Sequence, residues 1–244
     1  MNRTQTSSVF ASLRRATASS LWMAAGLLAT AAHAAGGHHA IDDAALLDEG
    51  QCSLETWGER QHGGGRTLAH VGPSCRVGAV ELGLNIDREK FSGQPHTTLV
   101  SPQLKWAVGL TEAVSVGLVG SVGYITSPST QRTGSTLVVP LTWRATPTLT
   151  AHANWGRDFV RSQPNKPRGG VALEWAPIAE GSLVVERFLQ SDVHSARLGA
   201  RWAVAPGLSL DVSRARAFGS GQASTVTVGV NWEFERPGQT AAAR

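Results

Sequence analysis

The chain has 244 residues, with 22 Lys and Arg against 18 Asp and Glu, a formal net charge of +4. Three of the positive charges, Arg3, Arg14 and Arg15, fall in the first 34 residues, which hold no acid; the rest carries 19 basic and 18 acidic side chains. That balance, without a basic stripe interleaved with aromatics, excludes a nucleic-acid footprint, and no later apolar run of 18 or more residues suits a membrane helix.

The first element is a predicted signal peptide over 1–34. Arg3, Arg14 and Arg15 form its positive start, "LWMAAGLLATAA" its apolar centre, and Ala32-His33-Ala34 its small-x-small cleavage site. Ala16-Thr17 after the arginine pair lack the apolar follow-up of twin-arginine export, so general secretion is expected. No lipidation Cys follows the cut.

Residues 35–50, "AGGHHAIDDAALLDEG", read as a flexible or helical periplasmic segment able to cap or plug the downstream domain. Asp42 is placed to cap a short helix through Leu47, and Gly50 to stop it. His38 and His39 are its chemical feature. Gly36-Gly37-His38 with a free amine would chelate Cu(II) or Ni(II) in a square plane, but a cut after Ala34 puts His38 fourth. A looser His38/His39 site helped by Asp42 or Asp43 stays open beside a plain linker, and no other cofactor is expected.

From Gln51 the texture becomes period-2 alternation broken by Gly, Pro, Ser and Asn clusters. Twelve strands are predicted, over roughly 51–60, 67–75, 78–88, 97–109, 113–125, 135–144, 148–158, 169–176, 181–190, 194–203, 208–217 and 223–234. Most are near the nine to eleven residues that a tilted strand needs to cross a bilayer. Leu137, Val139, Leu141 and Trp143 share one side of the sixth, against Thr136, Thr142 and Arg144. Val226, Val228, Val230, Trp232 and Phe234 share one side of the last, against Thr225, Thr227, Asn231 and Glu233. Strand 181–190 is ambiguous because Val184, Val185 and Phe188 blur the parity. So is the first strand, where Trp57 falls with Glu55 and Glu59.

Alternation alone fits a soluble sandwich or a membrane barrel. The tryptophans discriminate: Trp106, Trp143, Trp175 and Trp202 lie on apolar faces just before short connections, and Trp232 takes the matching place in the last strand. In a barrel they ring one membrane interface, where indoles are stable. Their connections span about three to five residues, whereas "SPSTQRTG" and "VRSQPNKPRGG" are longer, with outer loops of five to ten residues. Cys52 opens strand one and Cys75 closes strand two, at one end of adjacent strands; in an exported chain they read as one disulfide.

This pattern over 51–234 resembles the small outer-membrane β-barrels of Gram-negative bacteria. The resemblance implies an all-β, transmembrane, antiparallel up-and-down barrel of about twelve strands in the outer membrane, with lipid and the assembly machinery as partners. Phe234 stands where such barrels place a terminal aromatic, although a tail over 235–244 extends beyond it. The polar parity set would line the lumen: Glu81, Asp87, Lys105, Arg144, His152, Glu174, Arg197, Arg201, Asp211 and Glu233, joined by Glu55 and Asp158. Its mixed signs suit an ion-pair network filling the barrel, or a weakly selective pore for small solutes. The expected role is a passive channel or structural envelope barrel without catalysis. A copper- or nickel-binding envelope protein is the alternative, and an outer-membrane hydrolase the third. His152 and His194 have Ser or Thr nearby, and "HGGGR" at His62 resembles an oxyanion string, yet no G-x-S-x-G accompanies them.

Overall fold

The computed structural model of the protein describes residues 38–219 and 223–236. The predicted signal peptide, Ala35–Gly37 and the tail beyond Arg236 lie outside the described residues.

Twelve strands run in order: β1 (Gln51–Gln61), β2 (Arg66–Val77), β3 (Val80–Phe91), β4 (Thr97–Gly109), β5 (Val114–Ser127), β6 (Gln131–Thr146), β7 (Leu149–Val160), β8 (Lys166–Ile178), β9 (Gly181–Gln190), β10 (Val193–Ala205), β11 (Leu208–Ala217) and β12 (Ser224–Glu235). Each pairs antiparallel with its sequence neighbours, and β12 pairs with β1, so the sheet closes into a barrel. Closure leaves no edge strand, which is what a sheet in hydrocarbon requires.

The predicted strands all form, but β6 and β8 begin earlier than the alternation indicates. The stretches read as long loops shrink to residues 128–130 and 161–165. Glycines hide the parity there: Gly134, Gly169 and Gly170 carry no side chain to show a face. At Gly170 an added Cβ would run into the Arg187 carbonyl of β9. Connections at one end (the turn end, where β1 starts and β12 finishes) have two to four residues; those at the other (the loop end) have two to six. Of the outer loops, 62–65, 128–130 and 191–192 are shorter than the expected five to ten residues, and the other three fall at the lower end of that range. The tightest, Ser191–Asp192, has φ of 52° and 64°, the left-handed pair of a type I′ hairpin.

The apolar faces point outward. Leu137, Leu141, Trp143, Val226 and Val228 are exposed, while Val138, Thr142 and Thr227 between them are buried. The Lys105 and Arg201 side chains face inward and are mostly covered. Trp106, Trp143, Trp175, Trp202 and Trp232 all stand exposed on the outer face near the turn end. Phe159 and Tyr124 are exposed on it near the loop end. Trp143 pairs with Ala151, and Phe159 lies eight residues further along β7. That is about 26 Å along the strand and, at the usual tilt, about 20 Å along the barrel axis, close to the apolar band of such barrels.

Both ambiguous strands resolve. In β9 the even positions Ser182, Val184, Glu186 and Phe188 are buried inside, and Leu183 and Val185 are exposed outside. In β1, Trp57 does face the lumen with Glu55 and Glu59, stacking on His70 of β2 at a centroid distance of 4.6 Å. Cys52 and Cys75 lie directly opposite each other and form a disulfide.

The helix expected over Asp42–Leu47 does not form. Residues 38–49 run through the lumen without helical or strand structure. The wall supplies partners for their main chain, and each such bond competes with the internal bonds of a helix only six residues long.

Candidate functional site

The lumen is organised around this strap. It enters at the turn end, where Gly50 leads into β1, and reaches the middle of the barrel. The Ile41 side chain is 1% exposed and packs with Ala172, Val184 and Phe188, an apolar cluster inside an otherwise polar interior. Those inward apolar residues are what blurred the parity of β9.

Wall side chains meet the strap mostly at its main chain. Glu186 Oε1 accepts from the N–H groups of Ala40 and Ile41, both at 3.1 Å. Thr142 Oγ1 accepts from Ala44 N at 2.9 Å, and Glu81 Oε2 from Leu47 N at 3.2 Å. Arg197 donates to the His38 carbonyl, and Arg76 donates to that of Leu47 at 2.9 Å. The Asn154 carboxamide, turned to match, accepts from Asp42 N at 2.7 Å and donates to Asp42 O at 2.9 Å. Lys105 Nζ sits 2.6 Å from Asp43 Oδ1.

Behind these contacts lies an ion-pair lattice. Arg197 lies 3.3 Å from Glu186 and 3.9 Å from Glu59. Arg66 bridges Glu59 and Glu89. Arg201 holds Asp211 with two bonds of 2.7 and 2.8 Å, and Asn231 donates to the same carboxylate at 2.6 Å. Arg201 and Asp211 are register partners on β10 and β11, so strand pairing itself aligns the fork. A buried carboxylate such as Glu186, fully covered, is tolerable only with this density of donors.

Among the residues expected in the lumen, Glu81, Lys105 and Arg197 bind the strap. Asp87 meets His70 Nδ1 at 2.7 Å. His152 Nδ1 lies 2.9 Å from Thr142 Oγ1, and its Nε2 lies 3.9 Å from the buried Glu174. Glu55 and Glu233 line the open part of the lumen. Asp158 accepts from Thr136 at 2.7 Å. Arg144 keeps the inward register but is exposed at the turn end, beyond the cavity. Glu186 and Asn154 carry much of the strap contact without having been singled out, and Thr142 was read only as part of the polar face of its strand. Glu186 was legible only once the even face of β9 was known to be the inner one.

His38 and His39 are neighbours in the lumen, with rings stacked at 4.6 Å and side chains 1% exposed. His38 Nδ1 is 3.8 Å from Asp211 and His39 Nδ1 is 3.5 Å from Glu186, too long for good hydrogen bonds. Among the described residues, no group of three or more His, Cys, Asp or Glu is arranged to hold a metal ion. The Gly36-Gly37 part of the predicted chelate lies outside the described residues.

Beside the strap a cavity of about 1010 Å³ remains. Its described lining includes Thr97, Val193 and Thr225 near the loop end, and Ser53, Glu81 and Glu233 near the turn end. Eight of the lining residues are carboxylates and five are Lys or Arg. The acidic surplus of the predicted lumen set thus persists in the open lumen, where Asp42 and Asp43 of the strap join the wall carboxylates.

Residues 23–234 match the model of a family described as Uncharacterised conserved protein UCP029691. No curated protein matches the chain. Among solved structures the KdgM porin is similar, with a TM-score of 0.60 at 12% identity over 75% of this chain and 99% of that one. It has also been solved in complex with disordered oligogalacturonate. The NanC porin gives 0.59 at 13%, over 73% and 98%. Outer membrane phospholipase A from Escherichia coli gives 0.52 at 9%, over 74% and 89%. At such identities the likeness is one of fold: a twelve-strand barrel of outer-membrane type. The chain belongs to the UCP029691 family.

Proposed function

We propose that this member of the UCP029691 family is an outer-membrane channel for small solutes, without catalysis, narrowed by its own N-terminal strap. The observation that carries this reading is a cavity lined by residues of both barrel ends. Twelve strands lie between the eight that side chains fill and the sixteen or more that leave a wide pore. The strap occupies part of that width. The acidic excess favours cations over anions in the remaining space, and speaks against an acidic oligosaccharide as the solute. Export through a cleaved signal peptide, lipid around the outward apolar face and delivery by the barrel-assembly machinery complete the proposal. Recording in planar bilayers tests it, comparing the intact chain with a variant lacking residues 38–47. Conductance that rises on deletion supports the channel; no conductance from either folded form leaves a structural envelope barrel.

A second reading, copper or nickel capture by His38 and His39, draws on four imidazole nitrogens that find no hydrogen-bond partner among the described residues. Calorimetric titration of the intact chain with Cu(II) decides it. Binding that disappears in the His38→Ala, His39→Ala double variant supports capture, and no binding by the unaltered chain ends it. The hydrolase reading has the least support. Thr142 and His152 are buried, and Thr142 is bonded by Ala44 of the strap.

A further inference from the structure

The contacts between strap and wall form a pattern that filling alone does not require. Glu186, Thr142, Glu81, Asn154, Arg197 and Arg76 all engage main-chain N–H or C=O groups, spread from His38 to Leu47. Asn154 does so with both ends of its carboxamide on one residue, Asp42, as a neighbouring strand would. Such contacts recognise a peptide main chain whatever its side chains. Two pockets then add selectivity. Ile41 enters the apolar socket of Ala172, Val184 and Phe188, and two residues later Asp43 meets Lys105. Ala44, between these two residues and Leu47 on the strap, is covered to 2% exposure.

We propose that this wall is a peptide-binding groove, filled in cis by residues 38–47, and that it accepts in trans a non-helical peptide with an aliphatic residue two positions before a carboxylate. The groove stands whether or not the barrel conducts, since its partners are wall side chains fixed by the strand ladder. Its mouth is the turn end, where the strap itself enters. Tethering gives the strap an effective concentration on the order of millimolar. It therefore acts as a competitor that an incoming peptide must displace.

The test uses the barrel lacking residues 38–47, with folding checked by heat-modifiability on gels, and a labelled synthetic peptide of sequence HHAIDDAALL. Fluorescence anisotropy in detergent micelles reads binding. Saturable binding is expected, weakened at least tenfold by Ile41→Asp in the peptide and by Lys105→Met in the barrel. The intact chain is expected to bind at least tenfold more weakly than the strapless one. A folded strapless barrel that ignores the peptide, or binds a scrambled one equally well, overturns the proposal. Should the deletion fail to fold, a protease site inserted between Gly50 and Gln51 of the full chain replaces it. After cutting, a strap that stays with the barrel and exchanges with labelled peptide supports the groove. A strap that is lost on dilution and does not rebind overturns it. Conductance is not among these readouts, so failure of the groove and failure of the channel are separable.

Discussion

Placing Arg on the outer face at mid-height measures directly whether that face meets hydrocarbon. Val228 is 59% exposed and pairs with Val212 and Gly58. It lies four residues before Trp232 on β12. Four residues span about 13 Å along the strand, or about 10 Å along the axis at a 40° tilt. That puts Val228 near the middle of a band about 25 Å tall. Val228→Arg is therefore expected to cost about 2–4 kcal/mol in a bilayer. Val204 is the control: it is also outward and exposed, but lies two residues past Trp202 toward the turn end. Val204→Arg is expected to cost about 0–1 kcal/mol. Reversible urea unfolding in lipid vesicles, followed by tryptophan fluorescence, gives both values. Equal and small costs would refute the assignment of this face to lipid, because Arg in water at an exposed strand position changes stability little.

Lys105→Met removes the cation paired with the mostly buried Asp43 carboxylate, which keeps its bond from Ala45 N, and is expected to cost about 3 kcal/mol of strap docking, seen as faster proteolysis within 38–49 and higher conductance. If the channel conducts, its reversal potential in a salt gradient should show cation preference, and Glu55→Gln with Glu233→Gln should reduce it; an anion preference would count against the acidic lining as its source. Reducing Cys52–Cys75, which closes a loop of 23 residues, should lower stability by about 3 kcal/mol, with the barrel still heat-modifiable. Phospholipid ester cleavage by the purified barrel should be undetectable in a fluorogenic assay, and turnover lost in His152→Ala would overturn the non-catalytic part of the proposal.

Much of the barrel was readable because its signals are local. A pleated strand sends alternate side chains to opposite faces, so Leu137, Leu141 and Trp143 announce a shared face within seven residues of sequence. Placing Trp106, Trp143, Trp175, Trp202 and Trp232 at one rim needed only strand lengths and short turns. The disulfide was readable too, because Cys52 and Cys75 flank a single hairpin. The reading failed where chemistry on the two faces was alike or a side chain was missing. In β9, Val184 and Phe188 look like lipid-facing residues, yet they face inward to receive Ile41. In β6 and β8, glycines erased the alternation.

The sequence by itself determined a closed, outward-apolar sheet with its polar residues turned inside, as a period of two and the cost of unpaired backbone in hydrocarbon dictate. Only the tertiary structure decided what the interior holds. Ile41 and Glu186 stand 145 residues apart, and Asp43 and Lys105 stand 62 apart. No local rule relates such pairs. They meet because closure of β12 onto β1 fixes the height of every wall residue, and because a strap without helical or strand structure then presents its main chain to whichever side chains that geometry has placed there.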